Sequence, residues 1–348
     1  MPETLLGPLM VDVAGLELSA EDREVLRHPL VGALILFTRN FQTRAQLGEL
    51  IRQIRGLRPE LLIAADYEGG RVQRFRTEFS LLPAMRRLGR LYDDDPQRAI
   101  ALARDTGWLI GSELRAADID LSLAPVLDVD GEISAVIGDR AFHSTIDGVC
   151  ALASALVQGL DAAGMAATGK HYPGHGKVVA DSHHALPVDW RSYDEIRATD
   201  IEPFARMIAR GIPSIMMAHI LYPNVDKLPA SLSRIWIQQH LRDELGFDGA
   251  VFCDDLSMKG AAVIDSHIER AEVALEAGCD MLPVCNRRDT VLSLLDGLRF
   301  EPQPESSRRL EALRGRRPLA TFEQLPLDAR WQHTRAALGE LPREEQTA

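Results

Sequence analysis

The sequence predicts an α/β fold, a single-domain (β/α)8 barrel of the TIM type with a short C-terminal extension. Short apolar runs alternate with segments of helical periodicity, eight times within about 280 residues, which is the pattern of such a barrel. Polar and titratable residues also follow the carboxyl ends of several different runs. In a barrel these ends meet at one face, where the loops that follow the strands build the active site.

The eight apolar runs are the predicted strands. Most of them are continuous apolar stretches without polar alternation, which indicates parallel strands that are buried on both faces. They span residues 10–13, 33–37, 61–65, 119–129, 165–170, 214–219, 249–254 and 280–285.

The segments between the runs carry signals for the start and end of helices. Thr43 and Gln46 form a capping box, and the apolar stripe that follows ends at Gly56. Asp95 before Pro96 is typical of an N-cap with proline in the first turn. Further helical stretches end at Gly164 and Gly246, and the second of these begins at Ser233.

A doubly wound open sheet is the alternative architecture. We favour the barrel because no GxGxxG or P-loop follows the first strand and because polar residues end several strands rather than one switch point. The barrel is expected over residues 1–299. Residues 300–348, with Pro302, Pro304, Pro318 and Pro326, are expected to form a helical and irregular extension outside the barrel or to be partly mobile.

Composition narrows the function classes. The 348 residues are 46% hydrophobic and carry a net charge of −12, without the basic stripe that a nucleic-acid-binding protein needs. No window approaches 18 apolar residues, so no membrane span is expected, and residues 1–18 lack the pattern of a secretory signal. The four cysteines show no CxxC spacing, and we interpret them as reduced packing residues of a cytosolic protein. We expect a monomer.

Candidate functional residues lie at the predicted carboxyl ends of the strands. Each one alone has an ordinary structural explanation as a turn residue, a helix cap or a satisfied interior histidine. Together they favour a site, because a core gains nothing from so many titratable groups at one end. They are Asp66, Glu68, Arg71 and Arg74 after the third run, Asp128, Asp130, Asp139 and Arg140 in the fourth loop, Lys170 and His171 after the fifth run, His219 after the sixth, and Asp254 and Asp255 after the seventh.

One stretch stands out among these loops. Residues 170–176 read KHYPGHG and continue to the sequence DSHH at 181–184, so that four histidines, a lysine and an aspartate lie within fifteen residues. The two glycines and the proline exclude regular helix or strand throughout. An irregular, titratable segment directly after an apolar run is typical of a catalytic loop.

This stretch resembles the KHFPGHG…DSH signature of family three glycoside hydrolases, in particular the single-domain bacterial β-N-acetylglucosaminidases of peptidoglycan recycling. Three further segments match the same family in order: AADYEGGRVQR at 64–74, VIGDR at 136–140 and FCDDLSM at 252–258. The resemblance covers roughly residues 5–290. Tyr67, Tyr172 and Cys253 replace the usual Gln, Phe and Ser, and none of these changes removes a titratable group.

The resemblance implies a retaining hydrolysis of terminal, non-reducing β-linked N-acetylglucosamine through a covalent glycosyl-enzyme. It assigns Asp254 as nucleophile, His183 as general acid and then base, and Asp181 as its partner. It assigns the binding of the sugar to Asp66, Arg74, Arg140, Lys170 and His171. The implied substrate is a cytoplasmic muropeptide fragment, N-acetylglucosaminyl-β-1,4-anhydro-N-acetylmuramic acid with or without peptide, and no cofactor or metal is implied.

The residues are chemically suited to these roles. An imidazole that titrates near neutral pH can donate a proton to the leaving oxygen and later take one back. Asp181, two residues before His183, can hold its tautomer in the way a triad aspartate does. We expect Lys170, Arg74 and Arg140 to lower the pKa of Asp254. Gly174 and Gly176 would allow the loop to bend and to close on substrate.

Three alternatives stay open at this point. A metal-dependent hydrolase on the same barrel would bind zinc through His171, His175, His183 and His184 with Asp181, although their spacing does not match a helical i, i+4 pair. A non-enzymatic carbohydrate-binding protein would keep Asp66 and Arg74 without needing Asp254. A β-N-acetylglucosaminide phosphorylase would transfer the sugar to phosphate, and a histidine acid/base repels that anion less than a carboxylate does.

Overall fold

A closed barrel of parallel strands forms the centre of the molecule. The structure, a computed structural model, describes residues 5–134, 136–178, 182, 186–316 and 320–342. The strands in this part of the chain are β1 (Leu9–Val11), β2 (Val31–Leu36), β3 (Leu62–Ala65), β4 (Tyr67–Gly69), β5 (Val72–Gln73), β6 (Leu121–Ser122), β7 (Ala166–Tyr172), β8 (Ser214–Met217), β9 (Ala250–Phe252) and β10 (Leu282–Pro283).

Eight of these strands follow one another around the barrel in the order β10-β1-β2-β3-β6-β7-β8-β9, and all neighbouring pairs are parallel. Leu9 of β1 pairs with Leu282 of β10, and Phe252 of β9 forms a bridge with Met281 beside β10, which closes the circle. Each of the eight predicted runs overlaps one of these strands. The predicted (β/α)8 architecture is therefore confirmed.

Helices cover the outside of the barrel. They are α1 (Ala20–Arg27), α2 (Arg44–Leu57), α3 (Arg86–Asp94), α4 (Pro96–Ala116), α5 (Ile146–Ala162), α6 (Tyr193–Arg197), α7 (Glu202–Ile208), α8 (His267–Ala277), α9 (Arg288–Gly297), α10 (Pro304–Glu311) and α11 (Ala329–Glu340). A π-helix over Ile235–Glu244 takes the place of the helix between β8 and β9.

The predicted helix starts are confirmed with one difference. The Asp95 side chain accepts a hydrogen bond from the Arg98 amide, and the Thr43 side chain accepts from the Gln46 amide. The second half of the capping box does not form, because the Gln46 side-chain Oε1 accepts from the Gln42 amide instead of the Thr43 amide. The first turn of α2 is therefore capped from one side only, and Gln46 ties the preceding loop to the helix.

The helix between β8 and β9 was expected to be an α-helix and is a π-helix. Its apolar residues Ile237, Leu241 and Leu245 are spaced by four, a spacing that fits either winding, so the sequence pattern cannot separate the two. Ser233 does cap the start, since its hydroxyl accepts from the Trp236 amide at 3.2 Å. Gly246, with φ of 68°, ends the segment as predicted.

Helices α4 and α5 cross in direct backbone contact. A Cβ placed on Gly107 would lie 2.0 Å from the Leu156 carbonyl oxygen, and one on Gly159 would lie 2.0 Å from the Arg104 carbonyl oxygen. No side chain fits between two helices that approach so closely. The two glycines therefore allow the short distance between α4 and α5.

The described part of residues 300–348 packs on the outside of the barrel. The Trp331 indole N–H of α11 donates to the buried Glu113 carboxylate of α4 at 2.9 Å, and Arg330 forms an ion pair with Asp105 at 2.7 Å. The Gly315 amide donates to Asp120 at 3.1 Å, near the amino-terminal end of β6. The domain boundary at residue 299 remains a prediction.

Two expectations from composition can be compared with the described residues. All four cysteines are free and buried, as predicted for packing residues. Within the described ranges, no helix has both the length and the apolar character needed to cross a membrane.

The close crossing of α4 and α5 predicts the effect of added methyl groups. We expect Gly107→Ala or Gly159→Ala to lower the free energy of unfolding by about 1–3 kcal/mol, because the Cβ overlaps the backbone of the other helix. Gly48→Ala is the matched control, since Gly48 lies exposed in α2 with no atom within 4 Å of a Cβ. It should stabilise the protein by about 1 kcal/mol. Urea unfolding of the three variants measures both effects, and equal changes at all positions would contradict the close-crossing model.

Candidate active site

The predicted functional residues converge on one cavity. It has a volume of about 620 Å³ and lies at the carboxyl ends of the barrel strands. Its wall includes nine of the titratable residues selected from the sequence, namely Asp66, Glu68, Arg71, Arg74, Arg140, Lys170, His171, Asp254 and Asp255. These come from four different strand ends, as expected for a barrel enzyme.

A buried carboxylate, Glu68, joins two strand ends in this wall. Its two oxygens accept from the Arg140 guanidinium at 2.8 Å each, and one of them also lies 2.6 Å from the Lys170 ammonium. Burial raises the pKa of Glu68, but the charges of Arg140 and Lys170 outweigh burial and hold the pKa far below its usual range. Glu68 is therefore ionised and fixes both cations.

A second carboxylate, Asp66, completes this network. It pairs with Arg74 at 2.6 Å and with Lys170 at 3.2 Å. Burial raises its pKa, and Lys170 and Arg74 more than compensate, so that the net shift is downward. The cations that the sequence predicted to face Asp254 are thus bonded to Asp66 and Glu68. Their expected lowering of the pKa of Asp254 stays a prediction.

A hairpin formed by β4 and β5 places Glu68. The turn uses Gly69 and Gly70, with φ of 106° and 56°, and a Cβ on Gly69 would lie 2.4 Å from the Pro83 carbonyl oxygen. Tyr67 points into the core, where its hydroxyl donates to the Phe75 carbonyl at 2.9 Å. The sequence allowed this segment to be only a tight turn; the structure shows that the turn also positions a buried charge.

Asp128, at the end of the β6 segment, organises the two histidines of the KHYPGHG loop. It accepts from the His171 ring at 2.8 Å and from the His175 amide at 2.7 Å. Burial raises the pKa of Asp128, but the charge and the hydrogen bond of His171 lower it by more, so the net shift is downward. The His171 Nε2 then lies 3.4 Å from Arg140. The sequence analysis selected Asp128 but assigned it no role. Its contact with the two loop histidines could be seen only in the structure.

The glycines of the same loop allow close packing. The Gly174 carbonyl accepts from the Tyr222 hydroxyl at 2.9 Å, and a Cβ on Gly176 would lie 1.8 Å from the Val129 carbonyl oxygen. The Gly131 amide donates to the Gly176 carbonyl at 3.2 Å. Glycine is thus required here for contact with neighbouring loops. The predicted closure of the loop on substrate remains a prediction.

The two aspartates after β9 have different surroundings. Asp254 is partly buried, and one of its oxygens accepts from the Asp255 amide at 2.8 Å. Asp255 accepts from the amides of Ser257 at 2.9 Å and Cys285 at 3.1 Å, and burial raises its pKa to about 6. Asp255 thus caps the turn, which is one of the ordinary structural roles that the sequence left open. Both side chains border the cavity because β9 ends at Phe252, beyond which strand alternation no longer applies.

Two of the assigned catalytic residues, Asp181 and His183, lie outside the described residues, as does His184. Ser182 between them is described; it lines the cavity, and its carbonyl accepts from the Gly260 amide at 2.9 Å. Among the other candidates, Asp130 pairs with Arg86 at 3.3 Å. Within the described ranges, no group of three or more His, Cys, Asp and Glu side chains has the arrangement of a metal site.

His219 is an interior histidine with hydrogen-bond partners on both sides. Its Nδ1 lies 2.6 Å from the Ser231 hydroxyl and its Nε2 lies 3.0 Å from the Asp255 carbonyl oxygen. Burial lowers its pKa, against the opposing charge of Asp254. The satisfied-interior interpretation of this residue is confirmed.

The buried charges around Glu68 predict an acid-dependent stability. The free carboxyl has a pKa of 4.5, so below this pH the unfolded chain binds a proton that the folded Glu68 does not. The wild type should therefore lose up to about 1.4 kcal/mol of unfolding free energy per pH unit from this group as the pH falls. Glu68→Gln should be less stable by about 3–5 kcal/mol at pH 7, because it leaves Arg140 and Lys170 without their shared anion.

The difference between wild type and Glu68→Gln should shrink as the pH falls from 7 to 3.5 in urea unfolding. Glu49→Gln is the control, because Glu49 forms an exposed pair with Arg52 on α2 and should change stability little. A difference that stays constant or grows toward acid pH would show that Glu68 is not held ionised by its partners.

Comparisons with known proteins agree with this geometry. A model of the glycosyl hydrolase family 3 N-terminal domain matches residues 6–310. A β-hexosaminidase of Methylobacillus flagellatus is 50% identical over 337 residues, 97% of each chain. A β-hexosaminidase of Thiobacillus denitrificans is 54% identical over 295 residues, 84% of this chain and 82% of its own.

Solved structures show the same relationship. The crystal structure of NagZ from Neisseria gonorrhoeae in complex with N-trifluoroacetyl-D-glucosamine has a TM-score of 0.93 and 42% identity, covering 99% of this chain and 100% of that one. A family 3 β-N-acetylglucosaminidase from Paenibacillus has a TM-score of 0.81 and 32% identity, covering 100% of this chain and 65% of that one. The chain belongs to glycosyl hydrolase family 3.

Proposed function

We propose that this protein removes terminal, non-reducing β-linked N-acetylglucosamine from muropeptide fragments during cell-wall recycling in the cytoplasm. Its family and its identity of about 50% to β-hexosaminidases make it a β-N-acetylhexosaminidase. The finer assignment, N-acetylglucosaminyl-β-1,4-anhydro-N-acetylmuramic acid with or without peptide, rests on the motif resemblance. The observation that carries the proposal is a cavity that brings Asp254 beside a rigid set of groups suited to sugar hydroxyls.

The sugar would be held by Asp66, Arg74, Arg140, Lys170 and His171. Glu68 and Asp66 occupy only part of the hydrogen-bonding capacity of these cations, since a lysine has three donors and an arginine five. The remaining donors are held in place by buried ion pairs, which reduces the entropy lost when a substrate binds. Neutral hydroxyls and an acetamido carbonyl suit such a balanced site.

The proposed reaction has two steps. In the first, a carboxylate oxygen of Asp254 bonds to the anomeric carbon while His183 gives its proton to the glycosidic oxygen, and the aglycone leaves. In the second, His183 takes a proton from water, the water oxygen bonds to the anomeric carbon, and the bond to Asp254 breaks. Two inversions give net retention, and a histidine replaces the second carboxylate that most retaining enzymes use. Asp181 would hold His183 in the correct tautomer.

The edge of the cavity offers one feature that suits an anionic aglycone. The Arg71 side chain is about half exposed there and lies 3.6 Å from Asp139. A cation at this position is compatible with the carboxylate groups of a muramyl or peptidyl leaving group. We therefore expect higher kcat/KM for the disaccharide with anhydro-N-acetylmuramic acid than for N,N′-diacetylchitobiose. Equal values for the two substrates would argue against the muropeptide assignment while leaving the glycosidase activity intact.

Covalent trapping tests the nucleophile. A 5-fluoro-N-acetylglucosaminyl fluoride keeps the 2-acetamido group but slows both steps, so an adduct should accumulate, and peptide mapping should place it on Asp254. Asp254→Asn should abolish turnover while retaining the fold and the binding of N-acetylglucosamine. An adduct on another carboxylate, or turnover by Asp254→Asn, would overturn the assignment.

Leaving-group dependence tests the acid/base. His183→Ala should slow hydrolysis of poor leaving groups by about 10²–10⁴-fold and that of an activated aryl glycoside much less, since the latter needs little proton donation. Asp181→Ala should show the same pattern more weakly. Wild-type rates on both substrates for His183→Ala would contradict its role.

A comparison of wild-type rates with and without phosphate separates a hydrolase from a phosphorylase. A phosphorylase would show phosphate-dependent release of sugar 1-phosphate.

A further inference from the structure

We propose that His219 is a positioning residue that orients the proposed nucleophile Asp254 by fixing the turn that carries it. It holds the turn that carries Asp254, and the same turn contacts Ser182, which lies between Asp181 and His183 in the sequence. The inference rests on the proposed function, because the roles of Asp254 and His183 come from there.

The hydrogen bonds of His219 define a single state of its ring. The Asp255 carbonyl can only accept, so the Nε2 of His219 carries the proton that it donates at 3.0 Å. Nδ1 is then an acceptor, and the Ser231 hydroxyl at 2.6 Å is its donor. His219 has no exposed surface, and burial lowers its pKa, which is consistent with a neutral ring. The ring therefore acts as a fixed connection between Ser231 and Asp255.

The carbonyl that His219 contacts belongs to the turn beside the proposed nucleophile. The Asp255 carbonyl also accepts from the Met258 amide at 3.0 Å, which closes the turn. The Asp255 amide donates to a carboxylate oxygen of Asp254 at 2.8 Å. The hydrogen bond from His219 holds the Asp255 carbonyl. It thereby also fixes the position of the Asp255 amide, which donates to Asp254.

The same turn contacts Ser182 through Gly260. A Cβ on Gly260 would lie 2.9 Å from the Cβ of His219 and 3.2 Å from the Cβ of Ser182. The Gly260 amide donates to the Ser182 carbonyl at 2.9 Å. Gly260 therefore lies between His219 and Ser182 with no room for a side chain, and a shift of either would be transmitted to the other.

The satisfied hydrogen bonds of His219 connect it to the turn that carries Asp254, so its structural role also bears on catalysis. Most of the side chains that fill the barrel interior are apolar, and a buried imidazole is tolerated only when both nitrogens have partners. His219 is fully buried and lies outside the cavity wall formed by the described residues, so we expect it to act without touching the sugar. Its effect should fall on the geometry of catalysis, where a displacement of 1 Å costs up to about a hundredfold in rate.

Two substitutions at His219 separate the hydrogen bond from the space that the ring fills. His219→Phe keeps a ring without the donor, and kcat should fall about tenfold to a hundredfold with little change in KM for an aryl N-acetyl-β-glucosaminide. His219→Gln places an amide donor at a similar reach and should recover most of the loss. Gly260→Ala should also lower kcat, whereas Gly48→Ala, exposed on α2, should not.

The rate of covalent labelling by the 5-fluoro reagent distinguishes positioning from loss of folded protein. Partial unfolding would reduce the fraction of molecules labelled but leave the rate constant of the remainder unchanged; we expect a lower rate constant for His219→Phe and Gly260→Ala. Wild-type labelling rates in both variants, or a loss in His219→Gln equal to that in His219→Phe, would overturn the inference. An adduct of the wild type on a residue other than Asp254 would instead overturn the proposed function, so the two failures are distinguishable.

Discussion

The arrangement of the active site depends on the buried ion pairs between Glu68 and the cations Arg140 and Lys170. These three side chains come from three strand ends that are far apart in sequence, and each would be costly to bury alone. Bidentate contact with Arg140 and a short contact with Lys170 make their burial tolerable. Because each of the three charges needs the others to be buried, their ion pairs fix the three strand ends relative to one another. Arg140 and Lys170 both line the cavity.

The loops around this network are packed by contacts that exclude side chains. Gly69, Gly176 and Gly260 each lie where a Cβ would meet another part of the chain within 3 Å. A hairpin, the KHYPGHG loop and the turn after β9 are in this way brought against their neighbours without flexible side chains between them. Close packing of this kind favours a pre-organised site, which is what electrostatic stabilisation of a transition state requires.

The buried carboxylates of the site fall into two groups with opposite pKa shifts. The carboxylates Asp66, Glu68 and Asp128 have lowered pKa values and stay ionised beside their cationic or imidazole partners. Asp255, next to the proposed nucleophile, has a pKa raised to about 6 because burial dominates its surroundings. The first group holds binding residues in place, and the second caps the turn that carries Asp254. The family relationship assigns glycosidase chemistry to this cavity, and the geometry is consistent with it.

The sequence by itself determined the barrel, because eight continuous apolar runs separated by amphipathic helices have few other ways to bury both faces of a sheet. Its motifs also identified the family and the strand ends that carry the site. It could not show that Glu68 and Asp128 organise the binding residues, since either could equally end a turn. Nor could apolar spacing distinguish an α-helix from the π-helix over Ile235–Glu244.

Only the tertiary structure decided which cation meets which carboxylate, that Asp255 rather than Asp254 caps the turn, and that His219 contacts the Asp255 carbonyl. Those partners are separated by up to 104 residues, and their pairing depends on the tilt and register of the closed barrel, which local sequence does not encode.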